Sequence, residues 1–317
     1  MNKAIFLLIA IVVFVSGCSI PGLPGFGGSV QSQYENDVVI IKDQSVFPQS
    51  VKASQQITLV TYVQNLGETN PDKEFRVNVD LYDTCGVFKE IKTTCAGTTE
   101  GGKCKDLKLL PKEVKEITWK LTPDPDKVKV PIPSCKLKVA VSYPYKTTSQ
   151  TEIYLINPQE AQLQREQGTF RERTSSIQKS EGPVFAYVEP DKSVRQPYST
   201  ENKALPVSLY VENKGSGFIS GNLNGGQLTT KIDSKAFTPD KTTCSWEEDD
   251  FKNKITLINK KSPPYACQIP TGTFSAESLT REKTSIISVE FGQPYTYEFR
   301  KESQVSIEPM NYQKPAG

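Results

Sequence analysis

Histidine is entirely absent from this chain of 317 residues. That absence excludes Ser-His and Cys-His nucleophile pairs, imidazole metal ligands and a histidine pH switch. Asn-x-Ser/Thr sequons are also missing, so the chain offers no ordinary acceptor for N-linked glycans. Neither sign of charge dominates, because 38 basic residues face 36 acidic ones. With no basic block interleaved with aromatic residues, nucleic acid is not an expected partner.

Long apolar runs are equally scarce, and the one that exists lies at the N-terminus. Residues 4–15 would form a helix of about 18 Å, too short to cross a bilayer core of about 30 Å comfortably. Lys3 precedes this run, which fits the h-region of a signal peptide. The following Val15-Ser16-Gly17-Cys18 resembles a lipobox. The resemblance implies cleavage before Cys18 and lipid on its sulfur; an uncleaved anchor, or an ordinary signal with an incidental cysteine, is the alternative.

The remaining cysteines indicate disulfides in an oxidising compartment. They are Cys85, Cys95, Cys104 and Cys135 in the first half, and Cys244 and Cys267 in the second. Even numbers in each half of an exported chain predict bridges within each half. The second half then pairs Cys244 with Cys267. For the first half we expect Cys85–Cys95 and Cys104–Cys135 among three possible pairings. Since no Cys-x₂₋₄-Cys pair occurs, we expect no metal bound by cysteine.

Alternating apolar and polar residues predict an all-β chain with two folded units. Residues 57–63 and 75–83 show the period of two that places one strand face in a core. Similar stretches recur between turn signals in both halves. The expected organisation is listed by residue number: signal peptide 1–17, flexible tether 18–36, first sandwich 37–156, partly helical linker 157–182, second sandwich 183–309, and unstructured tail 310–317.

A short motif occurs at matching places in the two units. Val63-Gln64-Asn65-Leu66-Gly67 and Val211-Glu212-Asn213-Lys214-Gly215 each end a predicted strand with residues that tolerate a sharp turn. This pattern resembles the CARDB-like and related immunoglobulin-like modules of prokaryotic surface proteins, archaeal ones included. The resemblance implies two tandem immunoglobulin-like β-sandwiches. Neither strand carries the cysteine of antibody-type domains, so only the architecture is carried over.

The linker between the units contains one helix-start signal. Asn157 is a favourable N-cap, with proline and then Glu160 in the first turn. Leu163, Phe170 and Ile177 recur every seven residues, a spacing that could form a thin apolar stripe. Because the companion heptad positions are polar, we expect a mostly solvated connector.

Three other patterns each have an ordinary and a functional interpretation. The acidic run 246–250 could bind calcium, although it lacks EF-hand spacing and fits a solvated loop. The glycines of 215–218 and 221–226 could suggest a phosphate loop, but hairpin turns explain them better. Four tyrosines near the last strands of each unit could form a recognition surface, although packing at sheet ends explains them better. They are Tyr143, Tyr145, Tyr295 and Tyr297.

The sequence therefore predicts a lipid-anchored protein on the outer face of the cell membrane or envelope. Its expected partners are the membrane, through lipid on Cys18, and an unidentified surface protein or glycan. We expect adhesion, spacing or partner binding without catalysis, cofactor or metal. One alternative is a filament or envelope-layer subunit assembled by strand exchange. Another is an extracellular hydrolase that uses two carboxylates, for which the sequence favours no particular pair.

Overall fold

The computed structural model describes residues 34–67, 75–171, 173, 175–190, 196–197, 204–233, 235–237, 244–245, 254–270 and 282–311. The described chain is all-β apart from one α-helix and short helical turns. The strands are β1 Val39–Phe47, β2 Ser50–Lys52, β3 Ile57–Asn65, β4 Phe75–Asp83, β5 Phe88–Thr94, β6 Thr98–Glu100, β7 Lys103–Leu109, β8 Val114–Pro123, β9 Ile132–Tyr145, β10 Thr148–Ile156, β11 Ile177–Lys179, β12 Val184–Pro190, β13 Gln196–Pro197, β14 Ala204–Asn213, β15 Phe218–Ser220, β16 Leu228–Ile232, β17 Lys235–Phe237, β18 Cys244–Ser245, β19 Tyr265–Pro270, β20 Glu282–Phe291 and β21 Tyr295–Glu308. Helix α1 is Pro158–Glu166.

Two sheets pack together to form the first sandwich. One has the order β1-β3-β8-β5, and the other has the order β15-β21-β9-β4-β7-β6, with β2 beside β21. Alternation decides which side chains face inward, so Ile57, Leu59 and Val63 of β3 are buried. Trp119 of β8 is buried in the same core, and its Nε1 donates to the Gly102 carbonyl at 2.8 Å.

The second sandwich repeats this arrangement. Its sheets have the orders β12-β14-β19-β18 and β11-β10-β20-β16-β17, with β13 beside β10. By position, β12, β14, β19 and β18 correspond to strands A, B, E and D of an immunoglobulin sheet, and β16, β20 and β10 to C, F and G. In the first sandwich, β1, β3, β8 and β5 take the A, B, E and D places, and β4, β9 and β21 take those of C, F and G.

The G strands are exchanged between the two sandwiches. The first sandwich obtains its G strand, β21, from the C-terminal end of the chain, where it pairs with β9. The second obtains its G strand, β10, from the segment before its own A strand, where it pairs with β20. Residues 148–156, expected to close the first sandwich, therefore lie in a sheet of the second. The domain bounds 37–156 and 183–309 stay a prediction, while the strand pairing crosses the expected boundary at residue 156.

This exchange creates one long antiparallel ribbon. Residues 132–156 run beside residues 308–282, with Tyr145 opposite Tyr295 on one side of a register shift and Thr148 opposite Glu290 on the other. Between these pairs the Phe291 N–H donates to the Thr147 carbonyl at 3.1 Å. A strand of this length spans about 80 Å at about 3.3 Å per residue. We call these two segments the ribbon, and the crossings at 145–148 and 291–295 the waist.

The cysteine pairing in the first sandwich differs from the expectation. Cys85 is bonded to Cys135, with Cα atoms 5.7 Å apart, and Cys95 to Cys104, with Cα atoms 6.3 Å apart. The expected Cys85–Cys95 and Cys104–Cys135 bridges are therefore wrong. The reason is strand pairing: Cys104 lies in the β6–β7 hairpin that Cys95 precedes. Cys85 follows β4, whose partner β9 carries Cys135.

In the second sandwich, Cys267 is disulfide-bonded. Cys244 lies directly opposite it in the β18–β19 register. A Cys244–Cys267 bridge fits this placement and stays a prediction.

The linker contains the expected helix start. The Asn157 side chain accepts a hydrogen bond from the Gln159 N–H at 2.9 Å, and α1 follows. The helix ends at Glu166, and Ile177 lies in strand β11 instead. The seven-residue spacing therefore does not form a continuous helical stripe, and Leu163 is 46% exposed.

Hydroxyl groups of β10 satisfy the outer edge of β12. Thr147, just before β10, and Ser149 and Thr151 within it are all buried, and their hydroxyls donate in turn to the carbonyls of Val184, Ala186 and Val188. The Thr151 bond measures 2.8 Å. We call these three bonds the hydroxyl ladder. An edge strand normally leaves such carbonyls open to water or to another strand, and here a neighbouring sheet supplies the donors.

Removing one hydroxyl from the ladder should destabilise the protein measurably. We expect Ser149→Ala to lower the free energy of unfolding by about 1–3 kcal/mol, because the Ala186 carbonyl loses its donor in a buried place. Urea unfolding followed by tryptophan fluorescence measures this loss. The matched control is Ser45→Ala on the exposed face of β1, which should change stability by less than about 0.5 kcal/mol. Equal effects from the two variants would contradict the assignment.

Candidate functional site at the waist

Aromatic side chains fill the waist. Tyr145 pairs with Tyr295 and Tyr143 with Tyr297 across the ribbon, so alternate residues of both strands bring four rings together. Ring centroids of Tyr143 and Tyr297 lie 5.8 Å apart, and those of Tyr145 and Tyr295 lie 6.4 Å apart, both edge-to-face. Such pairs contribute about 0.5–1.5 kcal/mol beyond their burial. We call these four residues the tyrosine cluster.

The hydroxyls of this cluster bind the first strand of each sandwich in equivalent ways. The Tyr143 hydroxyl accepts from the Val39 N–H at 3.4 Å, and the Tyr295 hydroxyl accepts from the Val184 N–H at 3.3 Å. Val39 begins β1 and Val184 begins β12. Since Tyr143, Tyr295 and Tyr297 are buried, they serve packing rather than a recognition surface, as the sequence favoured.

The repeated Asn-x-Gly motif forms the same turn in both sandwiches. The Gly67 N–H donates to Asn65 Oδ1 at 3.0 Å, and the Gly215 N–H donates to Asn213 Oδ1 at 3.0 Å. In each case the intervening residue donates its N–H to the carbonyl preceding the A strand, at 2.7 Å. The structural equivalence of the two motifs is therefore confirmed, and in each the asparagine replaces a backbone acceptor at the strand end.

A buried carboxylate joins the two sandwiches at this place. Asp37, just before β1, accepts from the Ser216 N–H at 3.1 Å and also from the Ser216 hydroxyl. The Tyr297 hydroxyl donates to Asn213 Oδ1 at 3.2 Å in the same network. Asp37 is 5% exposed, so these donors offset its loss of water. Charge-assisted hydrogen bonds of this kind are about twice as strong as neutral ones.

Glycine is required where this network meets the ribbon. A Cβ at Gly215 would collide with the Tyr297 hydroxyl and with Asp37, and one at Gly217 would collide with the Glu298 carbonyl. The hairpin expected for 215–218 is wrong, because β14 and β15 lie in different sheets. Residues 214–217 instead cross from the second sandwich to the first.

Burial changes the acidity of the cluster. It raises the pKa of Tyr145 to about 12, with a contribution from Glu181. Burial also raises the pKa of Tyr143, Tyr295 and Tyr297 well above the usual range, and for Tyr297 the neighbouring Asp37 charge adds to the effect. The phenols therefore stay protonated in the folded protein at neutral pH. In this form their hydroxyls can both donate and accept hydrogen bonds.

Lysines cover a second aromatic group, on the outer side of β12 and β14. The rings of Tyr187 and Tyr210 stack at 5.6 Å, and Lys261 Nζ lies 4.0 Å from the Tyr210 centroid. Lys179 Nζ lies 4.3 Å from the Tyr187 centroid and 3.4 Å from a Glu212 carboxylate oxygen. With the cations placed over these rings, the group is occupied by the chain itself and is not an open platform for a sugar.

Several predicted site residues lie outside the described residues. They are Cys18 with its signal sequence and tether, and the acidic run 246–250. Among the residues that the structure describes, no cluster of acidic or sulfur side chains could hold a metal ion. No helix within that same part of the chain is long and apolar enough to cross a membrane.

Two features of the waist were missed by the sequence reasoning. The alternating Thr147, Ser149 and Thr151 carried a signal, because small hydroxyl residues at every second position of a strand share one face. Asp37 carried no comparable signal. Its partner Ser216 lies 179 positions away, and only the exchanged topology brings the two together.

Comparisons with known proteins leave the family open. No family model and no curated protein matches the chain, so the CARDB-like resemblance stays a prediction. Among solved structures, the chain is similar to the collagen adhesin of S. aureus at 12% identity, over 86% of this chain and 93% of that one, with a TM-score of 0.15. It is also similar to the collagen-binding domain of the Erysipelothrix rhusiopathiae surface protein RspB at 10% identity, over 87% and 95%, with a TM-score of 0.16. Scores this low carry no argument about function.

The tyrosine cluster predicts a loss of stability in alkali. A phenol whose pKa is higher in the folded than in the unfolded state contributes stability below about pH 10 and loses it as the pH rises further. Each buried tyrosine should add a slope of up to about 1.4 kcal/mol per pH unit. Urea unfolding at a series of pH values should show a shallower decline for Tyr143→Phe than for the unmodified protein. The exposed control Tyr82→Phe should keep the original slope, and a common slope for all three proteins would contradict the prediction.

Proposed function

We propose that this chain is an exported, lipid-anchored protein that presents a rigid pair of β-sandwiches on the outer face of the cell membrane or envelope. It acts by binding a surface protein or glycan, or by holding such partners at a set distance, and not by catalysis. The observation that carries the proposal is the ribbon. A fold in which two continuous segments each contribute a strand to both sandwiches suits a mechanical or presenting role.

The ribbon supports this role because it leaves no free linker at the waist. Both crossings are short: residues 146–147 separate β9 from β10, and residues 292–294 separate β20 from β21. Bending there would disturb the tyrosine cluster and the Asp37–Ser216 bonds together. Tandem domains joined by a single linker usually move relative to each other.

The position of residue 34 bears on how the sandwiches are presented. Tyr34 packs edge-to-face on Phe299 of β21, with ring centroids 5.7 Å apart, and Asp37 binds Ser216. Residues 19–33 lie between Cys18 and Tyr34, and the flexible tether predicted for them would span about 20 Å. A lipid on Cys18 would be joined through this tether to Tyr34, beside β21.

Assembly by strand exchange is a second candidate, favoured by the exchanged G strands. The last described strand, β21, completes a sheet built otherwise from β2, β4, β6, β7, β9 and β15. A strand contributed from so far along the sequence could equally come from another copy, as in domain swapping. Size-exclusion chromatography with light scattering separates the two candidates, because exchange predicts dimers or polymers that persist on dilution.

The anchor is tested by the intact mass of the membrane-extracted protein. We expect loss of residues 1–17, the added mass of lipid on Cys18, and three disulfides. Two acyl chains or more are needed for stable anchoring, at about 0.8 kcal/mol per buried CH₂. Cys18→Ser should abolish the lipid mass and release the protein into the soluble fraction. A full-length, unlipidated native protein would refute the anchor. That result would not bear on the fold of residues 34–311.

Rigidity of the waist is tested by distance measurements between spin labels. One label replaces Lys129 in the first sandwich and the other replaces Thr256 in the second, both exposed positions, in a soluble Cys18→Ser background. The distance distribution should be as narrow as that of a control pair, Lys129 and Lys92, within the first sandwich. Inserting two glycines at each crossing should broaden only the first distribution. An equally broad distribution before the insertion would contradict the proposal.

A further inference from the structure

A cleft opens next to the waist, where β15 of the first sandwich faces residues 254–260 of the second. Its volume is about 380 Å³, within the range of small-molecule sites. One wall comes from β15 and the residues that follow it, and the other from residues 254–260, which precede β19. Asn213, whose side chain makes the turn described above, also lines the cleft. The cleft thus has a fixed rim on the side of the ribbon.

Apolar side chains form much of the lining. Leu223 and Ile255 are buried, at 3% and 5% exposure, and belong to the core. The Ile255 N–H donates to the Leu223 carbonyl at 2.6 Å, which ties the two walls together. Phe218, Ile219 and Leu257 line the cleft and remain partly exposed. Covering such surface is favourable by about 25 cal/mol per Å², so the lining suits a ligand with an apolar body.

The charged groups of the lining are all positive. Lys254 and Lys260 contribute to the lining, and no Asp or Glu appears among its described residues. Lys260 Nζ donates to the Gly215 carbonyl at 2.7 Å, which holds this ammonium in place and leaves it two further donors. The exposed Asn222 adds an amide. Within the described part of the chain the cleft is lined by these cations and by no carboxylate, which favours an anionic group on the ligand.

We propose that this cleft binds a small amphipathic anion, a molecule with an apolar body and one carboxylate, phosphate or sulfonate group. The apolar part lies against Phe218, Ile219 and Leu257, and the anion lies between Lys254 and Lys260. This site is independent of the lipid anchor and of any partner of the sandwiches, so it can hold or fail separately from the proposed function.

The test uses 8-anilinonaphthalene-1-sulfonate, whose fluorescence rises in apolar sites, with octanoate, 1-octanol and inorganic phosphate as competitors. The dye should bind the folded Cys18→Ser protein with a dissociation constant below about 1 mM. Octanoate should displace it about three- to tenfold more effectively than octanol, because its carboxylate forms partly screened ion pairs with the two lysines that octanol cannot form. Phosphate alone should not displace it. Equal competition by octanoate and octanol, or displacement by phosphate, would overturn the proposal.

Variants locate the binding. Asn222→Trp, at an exposed position on the rim, should fill the cleft and abolish dye binding. Lys254→Gln combined with Lys260→Gln should weaken octanoate about three- to tenfold and leave octanol unchanged. The matched control Lys129→Gln removes an exposed lysine from the first sandwich and should change neither. Thermal unfolding verifies each fold; if Asn222→Trp is unfolded, the lysine variant decides. Undiminished octanoate binding in the folded lysine variant would refute the site.

Discussion

The antiparallel pairing of residues 132–156 with residues 282–308 is the constraint on which the rest of this structure depends. Both segments pass through both sandwiches, so neither core is complete without strands from the other half of the sequence. The two crossings of the ribbon contain only a few residues. Their polar groups form local hydrogen bonds: the Phe291 N–H donates to the Thr147 carbonyl, and the Thr147 hydroxyl donates to the Val184 carbonyl. The two sandwiches are therefore joined by strands that they share and not by a single linker.

Polar contacts at the waist explain why the exchange is accommodated without orphaned groups. Tyr143 and Tyr295 each complete the first strand of a sandwich, and Asp37 and Asn213 bind the loop that passes between them. Each of these side chains is buried, and each would cost about 1–3 kcal/mol if its partner were removed. The waist thus combines aromatic packing with a hydrogen-bond network. The residues of this network come from distant parts of the sequence and connect the first sandwich to the second.

Local patterns predicted the elements, whereas long-range pairing could not be predicted from them. Alternation located strands such as β3 and β4, and Asn157 located the start of α1, because these signals depend only on neighbouring residues. The recurrence of Asn65 and Asn213 correctly indicated a repeated turn. The sheet that β10 joins is decided by its pairing with β20, more than 100 positions away. A tandem repeat in the sequence looks the same whether or not the two units exchange strands. The cysteine pairing failed for the same reason, since Cys135 meets Cys85 through the partnership of β4 and β9.

The origin of β21 also sets an order of events during synthesis. Strands β1 to β9 emerge first, yet their second sheet lacks a central member until residues 295–308 have been made. In the second sandwich, β10 has already been synthesised when β20 is made. The second sandwich is therefore the first for which all strands are available. The sandwich encoded first can therefore close only after the C-terminal strand that completes it has been synthesised.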